Sequence, residues 1–395
     1  MRSWRSVLAA APVAAAILIG SGAAALPASA GPAPGPAARP AAGPSAGPAA
    51  GPSAGPAAGP AAGPAAGPAT GSQPGLTKQA VAVGTGGAVA SDDVPATSAG
   101  LSVLRRGGNA IDAAVAVAAT LGVTDPFVAG IGGGGYLVYY DARTHRVETI
   151  DGRETAPQLA TENLFIDPAT GKPLAFPVAV TSGLSVGIPG TLMTWQKALD
   201  QWGTQSLAQV LRPAERVARQ GFAVDATFRE QVRENAARFA QFSSTSQLFL
   251  PGGQLPVVGS TFRNPQLAST YAQIGRDGVG DFYGGALGGD IVQTVEHLPL
   301  AAGATLTPRP GLMRLGDLRG YAALRRDPTH VNYRGYDVYG MAPSSSGGTT
   351  VGEALNILAN FDLSGMSRVQ ALHHYLSQPG SPSPTATATS ATPPT

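Results

Sequence analysis

Gly107-Gly108-Asn109-Ala110-Ile111-Asp112-Ala113-Ala114-Val115-Ala116-Val117-Ala118-Ala119-Thr120-Leu121 is the stretch on which the fold turns. The paired glycines stop a preceding helix. Asn109 offers a side-chain oxygen to cap the next one, and Asp112 stands three residues on, where it completes a reciprocal capping box. Residues 111–121 are rich in Ala and Val on every face, and the helix is expected to end near Thr124-Asp125-Pro126. A helix with no polar side to turn to water belongs between other layers of a fold.

Working outward, Pro95 stands where a first helical turn tolerates proline, with Ser91-Asp92-Asp93 before it as capping candidates. That helix runs through Leu101 and Leu104. Residues 80–90 (AVAVGTGGAVA) read as a small-residue strand–turn–strand. Downstream, residues 136–140 and 147–150 are β-rich, separated by a polar turn over 141–146. Residues 192–202, stopped by Gly203, and residues 207–220 are helical, and 225–300 are helical with loops. Residues 174–181 and 333–339 read as strands, and 351–360 as a helix behind the loop 342–350. Helices flanking β-rich runs throughout predict a layered α/β protein.

Composition separates this folded part from its flanks. Of the 395 residues, 53 are Gly, 35 are Pro and none is Cys. Charged residues make up 13%, against about 25% in an ordinary domain, because the first 75 residues hold only Arg2, Arg5 and Arg39. The absence of Cys excludes disulfides, thiolate metal sites and cysteine nucleophiles. A net charge of +2 with no Lys/Arg cluster excludes a dedicated nucleic-acid binder. Residues 1–30 have the pattern of a signal peptide: Arg2 and Arg5, then an apolar run too short to span a bilayer, then Ala28-Ser29-Ala30. Secretion or another extracytoplasmic location is expected, with no stable membrane insertion after cleavage. Residues 31–70 are ten tetrads of the Gly-Pro-Ala-Ala type; the linker 31–75 is expected to be a semi-extended, disordered spacer. Residues 76–376 form the folded domain, and 377–395 a disordered Ser/Thr/Pro tail.

Three motifs suggest chemistry that their context does not support. Gly130, Gly132 and Gly135 satisfy the dinucleotide fingerprint, but a strand follows where the phosphate-binding helix should begin. Gly183-Leu184-Ser185-Val186-Gly187 satisfies the nucleophile-elbow pattern after an expected strand, yet Pro189 falls in the turn that should become the elbow helix. His297, His330 or His373 could serve as the base for Ser185, which keeps a serine hydrolase as an outside reading. His373-His374 are adjacent, pointing about 100° apart on a helix, and His145, His297 and His330 are isolated, so no metal site is expected.

Taken in order, a further set of segments resembles the gamma-glutamyltranspeptidases. It begins with Asp92-Asp93, Ala96, Gly100, Val103-Leu104 and the run from Gly107 to Val115, then Gly130-Ile131-Gly132-Gly133-Gly134-Gly135. Asp151-Gly152-Arg153-Glu154-Thr155-Ala156-Pro157, Ile188-Pro189-Gly190-Thr191 and Asp281-Phe282-Tyr283-Gly284-Gly285 follow. Tyr333-Arg334-Gly335-Tyr336 and Pro343-Ser344-Ser345-Ser346-Gly347-Gly348 complete it, so the resemblance covers about 80 to 376. It implies an N-terminal-nucleophile hydrolase, an αββα sandwich of two sheets between helices, made as a precursor that cuts itself into two subunits. The new N-terminal threonine of the small subunit would attack the γ-glutamyl amide of glutathione or a related compound, its own α-amine serving as base. The glutamyl group would then pass to water, an amino acid or a peptide, with no cofactor. Arg153 matches the arginine that holds the α-carboxylate of that group, a role suited to a guanidinium fork. Glu154 would orient Arg153 or meet the substrate amine. Ser344, Ser345 and Ser346 are read as loop formers beside a helix N-terminus.

The resemblance ends at Leu376, before any Thr-Thr-His-type cleavage site. Thr144-His145 and Thr329-His330 lie inside matched large-subunit sequence, and Thr385, Thr387 and Thr389 sit in a segment without strand pattern. The sandwich is therefore expected to be incomplete, with the small-subunit half missing. No catalytic residue is assigned to this chain, which is expected to be inactive alone and poorly soluble through exposed sheet edges. Two further readings are a large subunit completed by a small subunit in trans, and a non-catalytic protein that binds γ-glutamyl compounds.

Overall fold

The computed structural model describes Lys78 and residues 80–377. The expected signal at 1–30, the spacer at 31–75 and the tail beyond Ser377 lie outside the described residues. Residues 80–91 are irregular rather than strand–turn–strand. Val81 and Val83 are 78% and 98% exposed and no strand pairs with the segment, though Val89 packs against Gly100 of the next helix. Helix α1 (Val94–Arg105) carries Pro95 in its first turn and has Asp93 as its N-cap residue. The Asp93 carboxylate does not cap the helix; it accepts a hydrogen bond from the Thr124 hydroxyl at the end of α2 (Ala110–Thr124).

The capping box at the start of α2 forms as the sequence predicts. Asn109 Oδ1 accepts from the N–H groups of Ile111 (2.9 Å) and Asp112 (3.1 Å), and Asp112 Oδ2 accepts from Asn109 N at 2.8 Å. Asp112 is fully buried and does more than cap. Its Oδ1 also accepts from the backbone of Thr204 (2.9 Å) and Gln205 (3.1 Å), tying α2 to a loop some ninety residues away.

Strands β1 (Gly135–Asp141) and β2 (Arg146–Gly152) form an antiparallel hairpin in which Tyr136 faces Asp151. A short hairpin, β3 (Ile166–Asp167) and β4 (Lys172–Pro173), precedes α3 (Phe176–Val180). The strand expected over 174–181 is thus this helix, because Pro177 has no N–H for a ladder but suits a first helical turn. Helices α4 (Thr191–Trp202) and α5 (Leu207–Gln220) follow. Next come β5 (Phe222–Ala223), α6 (Ala226–Phe239), α7 (Ser243–Phe249), β6 (Thr261–Phe262), α8 (Pro265–Asp277), α9 (Gly280–Gly284), α10 (Ala286–Glu296) and α11 (Leu315–Gly320). Strand β7 (Leu324–Arg326) adds antiparallel to β2, giving the sheet order β1-β2-β7. The expected strand over 333–339 is instead a hairpin, β8 (Thr329–Tyr333) and β9 (Tyr336–Gly340). Arg334 and Gly335 both have positive φ (54° and 83°), the conformation of a tight two-residue turn matched to strand twist. Helix α12 (Gly347–Leu358) packs on this hairpin, and α13 (Arg368–Ser377) ends the described chain.

The layers follow from the side-chain alternation of the sheet. Leu137, Tyr139 and Ile150 face inward onto α4, where the Trp202 ring lies 4.9 Å from that of Tyr139. Behind α4, the all-apolar α2 packs on α1, α4 and α5, and α5 packs on α8, around Val115, Ala119, Leu192, Val210 and Ile274. A second core of Phe127, Phe222, Phe228, Phe239, Phe249 and Phe262 closes the 222–262 region. The outer face of β1 is different: Val138 and Tyr140 are 48% and 51% exposed. Among the described residues the three-stranded sheet packs one face on the helical layer, and the other sheets, β3–β4, β5–β6 and β8–β9, are two-stranded.

Burial alone would push the Asp112 carboxyl up, but the Thr204 hydroxyl and the N–H groups of Asn109, Thr204 and Gln205 hold it below its ordinary value. A carboxylate depressed by folding stabilises the protein above its unfolded pKa, and the contribution disappears as pH falls through the folded value. Asp112→Ala is expected to cost about 3 kcal/mol in urea unfolding at neutral pH, since it strands several buried donors. Between about pH 6 and about pH 3 the wild type is expected to lose more stability than Asp112→Asn.

Candidate functional site

The site grows from the end of β2, where Gly152 hands the chain to Arg153-Glu154-Thr155. Backbone groups hold this exit from several directions. Asp151 Oδ1 accepts from Arg153 N at 3.1 Å, and Asp151 Oδ2 accepts from Arg326 Nε at 3.2 Å on the neighbouring strand. Tyr321 Oη donates to the Arg153 carbonyl at 2.8 Å. Ile188 N donates to the Thr155 carbonyl at 2.8 Å, and Gln158 N donates to the buried Asp317 at 3.0 Å. Burial pushes the Tyr321 hydroxyl well above its ordinary pKa, reinforced by Asp151 and Glu154, so it stays a proton donor.

The glycine-rich segments make these contacts sterically possible. A Cβ on Gly152 would stand 1.6 Å from Thr194 Oγ1, and one on Gly190 would stand 2.0 Å from the Gly152 carbonyl oxygen. The run at 130–135 has a related role. The Gly133 carbonyl accepts from the N–H groups of Gly190 (2.9 Å) and Thr191 (3.1 Å), and the Thr191 hydroxyl donates to the Gly130 carbonyl at 3.1 Å. These donors open α4, so a protein carbonyl occupies the place a phosphate would need.

Arg153 itself is open. Its side chain is 57% exposed, with Nη1 donating to the Tyr136 hydroxyl at 3.3 Å and Nε 3.9 Å from Glu154 Oε2. The Tyr136 hydrogen bond, ahead of the nearby carboxylates, pushes the guanidinium above its ordinary value. Tyr136 Oη in turn lies 3.1 Å from Ser344 Oγ. Glu154 lines an open cavity of about 510 Å³ together with the glycine run, Tyr136, Thr191 and Trp195, whereas Arg153 stands outside that lining.

Arg153 and Glu154 are therefore neighbours at one sheet end, and the loop carrying Ser344 joins them. Ser345 turns locally, accepting from Gly347 N at 3.2 Å, and Ser346 makes no side-chain cap to α12. Sequence reading passed over Tyr136, because its partner Ser344 is 208 residues distant; its position at the mouth of the glycine run was the available signal. The nucleophile elbow does not form. Helix α3 precedes Ser185 in place of a strand, residues 183–185 make a single tight turn, and Ser185 Oγ donates to the carbonyls of Ala179 and Ser182, both at 3.0 Å. His145 pairs with Tyr140, His330 with Asp337, and the His374 ring lies against Phe361. Among the described residues no group of three or more His, Cys, Asp and Glu could hold a metal ion, and no helix is long and apolar enough to cross a membrane.

Solved structures place this architecture among the N-terminal-nucleophile hydrolases. The fold is similar to the crystal structure of Helicobacter pylori gamma-glutamyltranspeptidase, with a TM-score of 0.69 and 32% identity over 75% of this chain and 82% of that one. It is also similar to the Bacillus anthracis transpeptidase CapD, with a TM-score of 0.59 and 28% identity over 75% of this chain and 89% of that one. The gamma-glutamyltranspeptidase family model matches residues 96–378, and the chain belongs to this family. Among curated relatives, the "Glutathione hydrolase proenzyme" of Bacillus subtilis (strain 168) is 37% identical over 284 residues, and that of Escherichia coli (strain K12) is 36% identical over 278. The matches cover 72% and 70% of this chain but 46% of each proenzyme.

The close backbone approach supplies a direct test. Gly190→Ala is expected to lower stability by ~3 kcal/mol or more, because the obstacle is a carbonyl that cannot swing away. Gly132→Ala, whose Cβ would meet nothing within 4 Å, is expected to melt like the wild type.

Proposed function

We propose that the folded domain supplies the γ-glutamyl-binding part of an enzyme that transfers the γ-glutamyl group of glutathione and related compounds to water, amino acids or peptides. The observation that carries this reading is the Arg153 guanidinium, exposed at its head but mounted on backbone clamped from both flanks. Tyr136 engages one of its five N–H donors and Glu154 stands beyond hydrogen-bond distance, so a pair of parallel donors is left for a carboxylate. Glu154, one residue on and facing the cavity, is placed to orient Arg153 or to receive the substrate's α-ammonium.

The chemical step belongs to a small subunit, by analogy with the family. Its N-terminal threonine hydroxyl attacks the γ-carbonyl, the α-amine takes the proton and returns it to the leaving amine, and an acyl-enzyme forms for transfer to the acceptor. The uncovered outer face of β1, with Val138 and Tyr140, is where a second sheet would add. Residues 1–30 are proposed as an export signal, 31–75 as a spacer and 377–395 as a tail, giving an extracytoplasmic protein.

Calorimetric titration with L-glutamate tests the reading. Arg153→Ala is expected to weaken binding by about 100-fold and Arg153→Lys to restore little of it, since an ammonium cannot reproduce the fork. Ser185→Ala should bind as the wild type does. A wild-type chain that binds no glutamate overturns the proposal; binding without turnover after addition of a small subunit favours a non-catalytic binding protein.

A further inference from the structure

We infer that Tyr136 is the positioning residue for Arg153: its hydroxyl joins the guanidinium to Ser344 and so presents the fork in one orientation. The inference rests on the proposed function for its ligand but on separate contacts for its geometry. Arg153 is long, more than half exposed, and meets Glu154 only across 3.9 Å, an ion pair too loose and too screened to fix a rotamer. The remaining restraint on the head group is the 3.3 Å contact from Nη1 to Tyr136 Oη.

The direction of these bonds follows from the groups. A guanidinium only donates, so Tyr136 Oη accepts from Arg153. The phenol proton is then available to Ser344 Oγ at 3.1 Å, which leaves the serine's own proton free to turn toward a bound anion. Tyr136 itself cannot wander. It is the second residue of β1, paired across to Asp151, and Asp151 receives the backbone N–H of Arg153. Base and head of the arginine are thus referred to the same rung of the sheet. Phenylalanine at this position would keep the ring and lose the joint. Preorganising a fork in this way strengthens ligand binding by removing the entropy of ordering a long side chain.

The test compares full-length wild type with Tyr136→Phe in two measurements. The first needs no ligand: the rate of phenylglyoxal modification at Arg153, read by peptide mass spectrometry and normalised to Arg143, whose side chain is 90% exposed. Tyr136→Phe is expected to raise this ratio severalfold at unchanged melting temperature. The second is calorimetric affinity for L-glutamate, expected to fall by about tenfold, the scale of one hydrogen bond to a charged group. Ser344→Ala should move both readouts the same way by a smaller factor. An unchanged Arg153 labelling ratio in Tyr136→Phe overturns the inference whatever the affinity, and wild-type behaviour of Ser344→Ala overturns the anchoring through that loop. If wild type binds no glutamate, the functional reading fails while the labelling ratio still decides the role of Tyr136.

Discussion

The end of β2 and the chain just before α4 approach so closely that Gly190 has no room for a Cβ against the Gly152 carbonyl, and the Thr194 side chain on α4 leaves none at Gly152. Much of what positions the site depends on that approach. It brings the Gly133 carbonyl onto the first donors of α4, and it lets Tyr321 reach the Arg153 carbonyl. Each of these hydrogen bonds contributes only about 1 kcal/mol net, but they act on one short segment and leave it no alternative path. The backbone position of Arg153 is thereby fixed, and its side chain starts from one place.

The site divides its polar groups by burial. Asp151 and Asp317 are buried, each accepting from a backbone N–H as well as a second donor. They serve as anchors. Arg153 and Glu154, two and three residues beyond Asp151, stay exposed and loosely paired. A loose surface pair costs little to exchange, so an incoming carboxylate can replace Glu154 as the partner of the guanidinium. A tightly buried pair in the same place would resist that exchange. The arrangement suits a subsite that must fill and empty.

Much of this was legible in the sequence where the signal is local. The capping box of Asn109 and Asp112, the all-apolar α2, the β1–β2 hairpin and helices α4 and α5 each follow from residues within a few positions of one another. Where the reading missed, the deciding partner was distant or lacking. Residues 80–91 have strand-like composition but no neighbouring strand, Pro177 moved 174–181 into a helix, and Arg334 with Gly335 folded one expected strand into two. The glycine run and the Ser185 motif matched short patterns whose chemistry needs a surrounding geometry that these segments do not adopt.

The sequence by itself determined the helical layer, the hairpin that packs on it and, through an ordered set of family segments, the arginine proposed for the site. Those features arise from capping, hydrophobic patterning and turn chemistry, all of which act over a few residues. Tertiary structure decided what surrounds that arginine. Tyr136 meets Ser344 across 208 positions, Asp112 holds Thr204, and Asp317 holds Gln158, because burial and hydrogen-bond satisfaction are settled only when separate elements pack. A sequence records which groups need partners, and the packed chain determines which partners they get.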